Sequence, residues 1–274
     1  MQKLNALPIL ILSLLFHSCA TSTTTTEDAF SDDAESDGGE FVEYNNPPAE
    51  GFNLEGSDML AMLLADKCMI AMGGREAWDN TRYISWNFFG RRDHLWDKAT
   101  GDVRIEDPSN ELTVLMNINT KEGMVYKSGE PVTDSVDHFL QKGYGWWVND
   151  SYWLVMPYKL KDSGVTLKYM GEETTQNGNL ADVVQLSFEQ VGLTPQNIYN
   201  VWIDADSKLV SQWEYYPDSE SEARFTTPWA DYSKHGEILL AANRGDYALE
   251  SIFVMDSVPA AAFSQQDISI ASLR

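Results

Sequence analysis

The spacing of apolar positions along this chain changes period near Trp78. Before it, from Ser57 to Met72, apolar residues including Met59, Met62, Leu63, Met69 and Ile70 recur at helical spacing. They give a face broader than a simple surface helix needs, so the helix is expected to lie across something apolar. Ser57 is placed to cap it, Asp58 to sit at the positive end of its dipole, and Gly73-Gly74 to stop it. Beyond Trp78 the period becomes two. Ile84, Trp86 and Phe88 fall on one face of a strand that continues to Trp96, and Val103 to Glu106 returns antiparallel after the turn Asp97 to Asp102.

Further alternation follows at Leu112 to Ile118, with hairpin turns at Asn119 to Gly123 and Lys127 to Pro131. Asp134 to Lys142 reads as a short helix. Strands resume around Leu167, Leu186, Val201 and Leu209 to Tyr216, then across Arg224 to Tyr232, Ile238 to Ala242 and Ser251 to Met255. Strands joined by short turns pair antiparallel, and alternation means that one face is buried. The expected fold class is therefore mainly β with few helices. It is a single antiparallel, strongly curved sheet, an open or half β-barrel, wrapped around the N-terminal helix.

One stretch stands apart from this pattern. Gly143 to Val165 gathers Tyr144, Trp146, Trp147, Tyr152, Trp153 and Tyr158 around Pro157. Aromatic side chains combine large apolar area with a polar edge, which suits either the plug of a wide core or the mouth of a ligand cavity. With the apolar faces of the helix and strands, this gives as candidate cavity residues Met62, Trp86, Phe88, Trp96, Trp146, Trp147, Trp153, Met156, Trp202 and Trp213. Methionine in such a lining is adaptable packing or a pliant cover over an apolar ligand.

The beginning of the chain changes where the protein is expected to act. Lys3, the apolar run Leu7 to Phe16 and small Ser18 before Cys19 follow the three-part plan of an export signal. The run is short for a membrane span. Residues 1–18 are thus expected to be a signal peptide, with Cys19 an acylated first residue of the mature chain and the membrane held through that lipid. Residues 19–56 are expected to form an acidic tether, and residues 57–274 one folded domain. The formal net charge is −23, and residues 20–57 hold ten acids, from Glu27 to Glu55, with no Lys or Arg. So acidic a chain lacks the basic footprint that nucleic acid requires. If Cys19 carries lipid, Cys68 has no partner and no disulfide framework exists.

Catalytic and cofactor signatures are missing. Asp134, Ser135, Asp137 and His138 crowd one helical turn, where Ser135 and His138 could touch at i,i+3. A hydrolase also needs a third orienting group and an oxyanion hole, and no Gly-x-Ser-x-Gly occurs, so no catalytic residues are assigned and an enzyme is not expected. Asp204-Ala205-Asp206 lacks the Gly and Glu of a calcium loop and reads as a turn. No nucleotide or zinc motif occurs, so no cofactor and no metal are expected.

Leu14-Leu15-Phe16-His17-Ser18-Cys19 resembles the lipobox of bacterial lipoproteins. Ala71-Met72-Gly73-Gly74 with Trp78, the segment Tyr152 to Leu160 with Asp162 and Gly164, and Pro228-Trp229-Ala230-Asp231-Tyr232 with Gly236 add to this. Together they resemble outer-membrane lipoproteins near the LolA/LolB/LppX-like lipoprotein-carrier superfamily. That resemblance implies an incomplete barrel over a hydrophobic cavity, a lipid or acylated ligand as partner, and an outer-membrane location with the leaflet open. The lid-locking Arg of the superfamily has no matching motif at Arg91, Arg92 or Arg104. The expected function is binding of a hydrophobic ligand. The alternative is a non-catalytic envelope lipoprotein that binds glycan or a protein partner through exposed aromatics.

Overall fold

The computed structural model describes residues 45–189 and 192–274; the expected signal peptide, Cys19 and most of the expected tether lie outside them. Three helices occur among the described residues: α1 (Met59–Ala71), α2 (Arg75–Asn80) and α3 (Val136–Val155). Fourteen strands divide between two antiparallel sheets. The first six are β1 (Tyr83–Phe88), β2 (Arg92–Asp97), β3 (Asp102–Asp107), β4 (Leu112–Asn117), β5 (Gly123–Lys127) and β6 (Glu130–Pro131). After α3 come β7 (Val165–Thr174), β8 (Leu180–Phe188), β9 (Ile198–Asp204), β10 (Val210–Tyr216) and β11 (Phe225–Pro228). The last three are β12 (Ala230–His235), β13 (Ile238–Arg244) and β14 (Tyr247–Met255).

The nine-stranded sheet runs β12-β13-β14-β1-β2-β3-β4-β5-β6, and the five-stranded sheet β11-β10-β9-β8-β7. The expectation of one continuous sheet wrapped around a helix is corrected here. α3 interrupts the meander, so β7 begins a new sheet, and β14 returns to pair with β1, Tyr83 opposite Met255. Arg224 to Tyr232, expected as one strand, is two. β11 closes one sheet, β12 opens the other, and buried Trp229 lies between them. A proline at the end of β11 cannot continue a hydrogen-bonded ladder, which suits a change of sheet.

Local pairing follows the predicted turns. Across the first sheet Trp86 faces His94, His94 faces Ile105, Ile105 faces Val114, and Val114 faces Val125, a row that is buried throughout. α1 buries Ala61, Leu64, Ala65, Cys68 and Met69. Its predicted Ser57 cap does not form: Ser57 Oγ donates to the Asn53 carbonyl and accepts from the Leu167 N–H. Asp58 occupies the cap position, but its carboxylate accepts from Lys168 and from the Tyr169 N–H. Gly73 ends the helix with φ of 113°, and a Cβ there would stand 2.4 Å from the Glu237 carbonyl oxygen.

The Pro-containing motif after α3 fastens these parts together. Tyr158 stacks on Trp78 with ring centroids 4.4 Å apart, and its hydroxyl lies 2.9 and 2.8 Å from the carbonyls of Met72 and Leu239. At the sheet junction Arg244 is buried over the Trp229 ring at 3.4 Å. Its guanidinium donates to the carbonyls of Asn243, Trp153 and Ala241, and among the described residues it makes no ion pair. Burial lowers its pKa to about 9.

Candidate functional site

The aromatic stretch is helical. α3 extends over 20 residues, where the sequence predicts a short helix ending at Lys142. Its buried stripe reads Leu140, Gly143, Asp150, Ser151, Leu154 and Val155, so glycine and polar residues occupy positions where an apolar repeat would have announced a helix. Gly143 is required by close approach: a Cβ there would stand 2.8 Å from Val114 Cγ1 of β4.

One side of α3 meets the nine-stranded sheet through a buried charge cluster. Arg92 donates from Nε and Nη2 to the two oxygens of Asp150, at 2.7 and 3.0 Å. His94 Nε2 lies 2.7 Å from Asp150 Oδ2, and the imidazole stacks on Trp86 at 4.6 Å. Burial pushes the Asp150 pKa up, but hydrogen bonds from His94 and Arg92 outweigh it and hold the carboxyl below its usual range. Asp93, the neighbour of His94, points the other way to Arg274 Nη1 at 2.8 Å, as strand alternation requires.

The other side of α3 does not close against the five-stranded sheet. A cavity of about 650 Å³ lies between them, within the size range of small-molecule sites. Its walls are largely aromatic. Trp153 stacks on Trp213 at 4.5 Å and on Phe225 at 5.6 Å, and Tyr199 meets Trp213 edge-on at 5.0 Å. Tyr152 stands 5.6 Å from Tyr199, and its buried hydroxyl has no hydrogen-bond partner. Burial raises the pKa of both phenols, so they stay neutral. Asn197 supplies a polar corner, donating to Thr194 Oγ1 at 2.6 Å and accepting from the Tyr215 hydroxyl at 3.3 Å. Lys159 and Asp162 pair with each other, both about a third exposed.

Of the residues singled out from sequence, Trp147, Trp153 and Trp213 line this cavity. Trp86, Phe88, Trp96 and Met156 are buried in the main core, and Trp96 backs Trp147 edge-on at 5.6 Å. Met62 is half-buried against that core. Trp146 is half-buried beneath Arg92 and Lys142, at 4.9 and 4.8 Å. Trp202 is turned from the cavity and packs with Ala181 and Val183. Strand parity explains this: Tyr199, Val201 and Ile203 share one face of β9, so Trp202 takes the other. The same parity would have placed Tyr199, and Tyr215 with Trp213, in the wall. Tyr152, Phe188 and Phe225 are further lining residues that the sequence reading did not assign. Among the described residues no group of acidic, His and Cys side chains could hold a metal ion.

Several solved structures are similar to this chain. A DUF1329 family protein from Desulfovibrio piger ATCC 29098 aligns over 75% of this chain and 97% of its own, at 12% identity and a TM-score of 0.42. A LolA superfamily protein from Nitrosomonas europaea aligns over the same shares, 75% and 97%, at 10% identity and a TM-score of 0.38. MucB, in complex with MucA(peri), aligns over 76% of this chain and 60% of its own, at 10% identity and a TM-score of 0.23. No protein-family model matches the sequence, and no curated protein matches it. The resemblance read from the sequence is to the LolA-like superfamily, and these likenesses concern the fold alone.

Proposed function

We propose that this chain is a non-catalytic, extracytoplasmic lipoprotein that holds the apolar part of a lipid-like ligand between α3 and the five-stranded sheet. The supporting observation is the aromatic cavity of about 650 Å³, which a core packed to ordinary interior density would have filled. The anchor in this reading is lipid on Cys19 at the outer membrane, with the acidic segment as tether. Radiolabelled palmitate should enter the full chain and should not enter Cys19→Ala; equal labelling of both would remove the anchor from the proposal.

Native mass spectrometry with lipid extraction, on the full chain from a bacterial envelope fraction, tests the ligand. Acyl lipid should co-purify at fixed stoichiometry. Gly145→Leu gives the sharper test, because Gly145 lines the cavity and a Cβ there meets only Leu193 Cδ1 at 3.8 Å. Replacing a helical glycine should leave stability unchanged or raised by up to about 1 kcal/mol. The new side chain should occupy the cavity and abolish co-purification. A clean apo mass for the native chain that also ignores added lipid would favour the reading as an interaction protein for glycan or a partner.

A further inference from the structure

The cavity wall carries almost no usable charge. Among the described lining residues Lys159 and Asp162 alone are ionised, and each is committed to the other. Tyr152 and Tyr199 are half-buried with raised pKa values and remain protonated, so the rest of the wall offers apolar rings, amides and hydroxyls. A ligand anion entering here would lose water without gaining a free cation, and an ammonium would lose water without gaining a free carboxylate. The long-range field opposes an anion as well, because the chain is strongly acidic. The buried Arg244 is spent on backbone carbonyls, including that of Trp153, and lies over the Trp229 ring, and Arg92 is spent on Asp150.

Resting on the ligand-binding reading above, we infer that the cavity selects an uncharged acyl compound, an ester or amide, over the fatty-acid anion or alkylammonium of the same chain length. The polar corner at Asn197 and Tyr215 suits a neutral hydrogen-bonding group, since it presents both an amide and a phenol already linked at 3.3 Å. Lys159 and Asp162, each about a third exposed, hold selectivity by cancelling each other's charge in the wall.

The test is a titration of intrinsic Trp emission in the full chain at pH 8 with three matched probes below their micellar concentrations: monolauroyl glycerol, laurate and dodecylamine. Trp153 and Trp213 report from the wall. Monolauroyl glycerol should bind tighter than either ion by about tenfold or more. Asp162→Asn frees the Lys159 ammonium, and should strengthen laurate by about tenfold relative to the neutral ester. Lys159→Gln should strengthen dodecylamine instead. Laurate binding within about threefold of the ester in the native chain overturns the inference, as does an equal response of all three probes to Asp162→Asn. If none of the probes binds to the native chain, the ligand-binding reading itself fails, a different outcome from lost selectivity.

Discussion

α3 is held differently on its two sides. Toward the nine-stranded sheet, fully buried Asp150 accepts two bonds from Arg92 and lies against His94, and Gly143 lets the helix backbone approach Val114. Toward the five-stranded sheet, Tyr152, Trp153 and Trp213 meet ring to ring, yet leave open volume. The first contact is specific and pairs both Asp150 oxygens, so the helix position is fixed without help from the second. A wall anchored from behind can border a cavity without collapsing into it. The contrast explains how one helix bears both a buried carboxylate and a row of aromatics.

The largest expected effect breaks the anchored side. Asp150→Ala leaves the Arg92 guanidinium, with a side chain only 14% exposed, facing no carboxylate, and should cost about 3–5 kcal/mol in urea denaturation. A loss under about 1 kcal/mol would mean that α3 is not held by this cluster. The pH dependence sharpens the point. The folded Asp150 pKa is depressed, so its stabilisation is fully present above the unfolded carboxylate value of about 3.9 and is lost as pH falls through the folded one. Asp150→Asn should flatten the acid limb of the stability curve relative to the native chain.

Gly143→Val comes next. Its side chain would be driven into Val114, and overpacking of this kind costs about 1–3 kcal/mol, measurable as a lower urea midpoint at unchanged slope. Gly145, two residues on, faces the cavity, so a stability gap between Gly143→Val and Gly145→Leu tests the two-sided description directly. The smallest effect belongs to Tyr152→Phe. Deleting a buried hydroxyl that has no partner should leave stability unchanged or raise it by up to about 1 kcal/mol. A clear loss instead would show that the hydroxyl is satisfied and that this wall is tighter than described.

Legibility from sequence tracks the range of the interaction. The turns Asp97 to Asp102, Asn119 to Gly123 and Lys127 to Pro131 were readable because their residues specify local backbone geometry, and the strands on either side pair as expected. α1 was readable from its apolar spacing, although the side chains of Ser57 and Asp58 turn to the edge of β7 instead of capping. α3 was hidden because its buried stripe contains Gly143 and Asp150, whose partners Val114 and Arg92 are far away in the chain. In the candidate site, Trp147, Trp153 and Trp213 stood out as aromatics, while Trp202 was separated from them only by which face of β9 it occupies.

The antiparallel hairpins, the first helix and the concentration of aromatic side chains follow from spacing and turn chemistry within a few residues, and so were legible in the chain alone. The tertiary structure alone decided that the strands form two sheets and that β14 closes back on β1. It alone decided that Asp150 anchors α3, and that open volume lies on the opposite side of that helix. These outcomes depend on contacts between segments distant in the chain, whose pairing is set by burial and charge satisfaction in three dimensions.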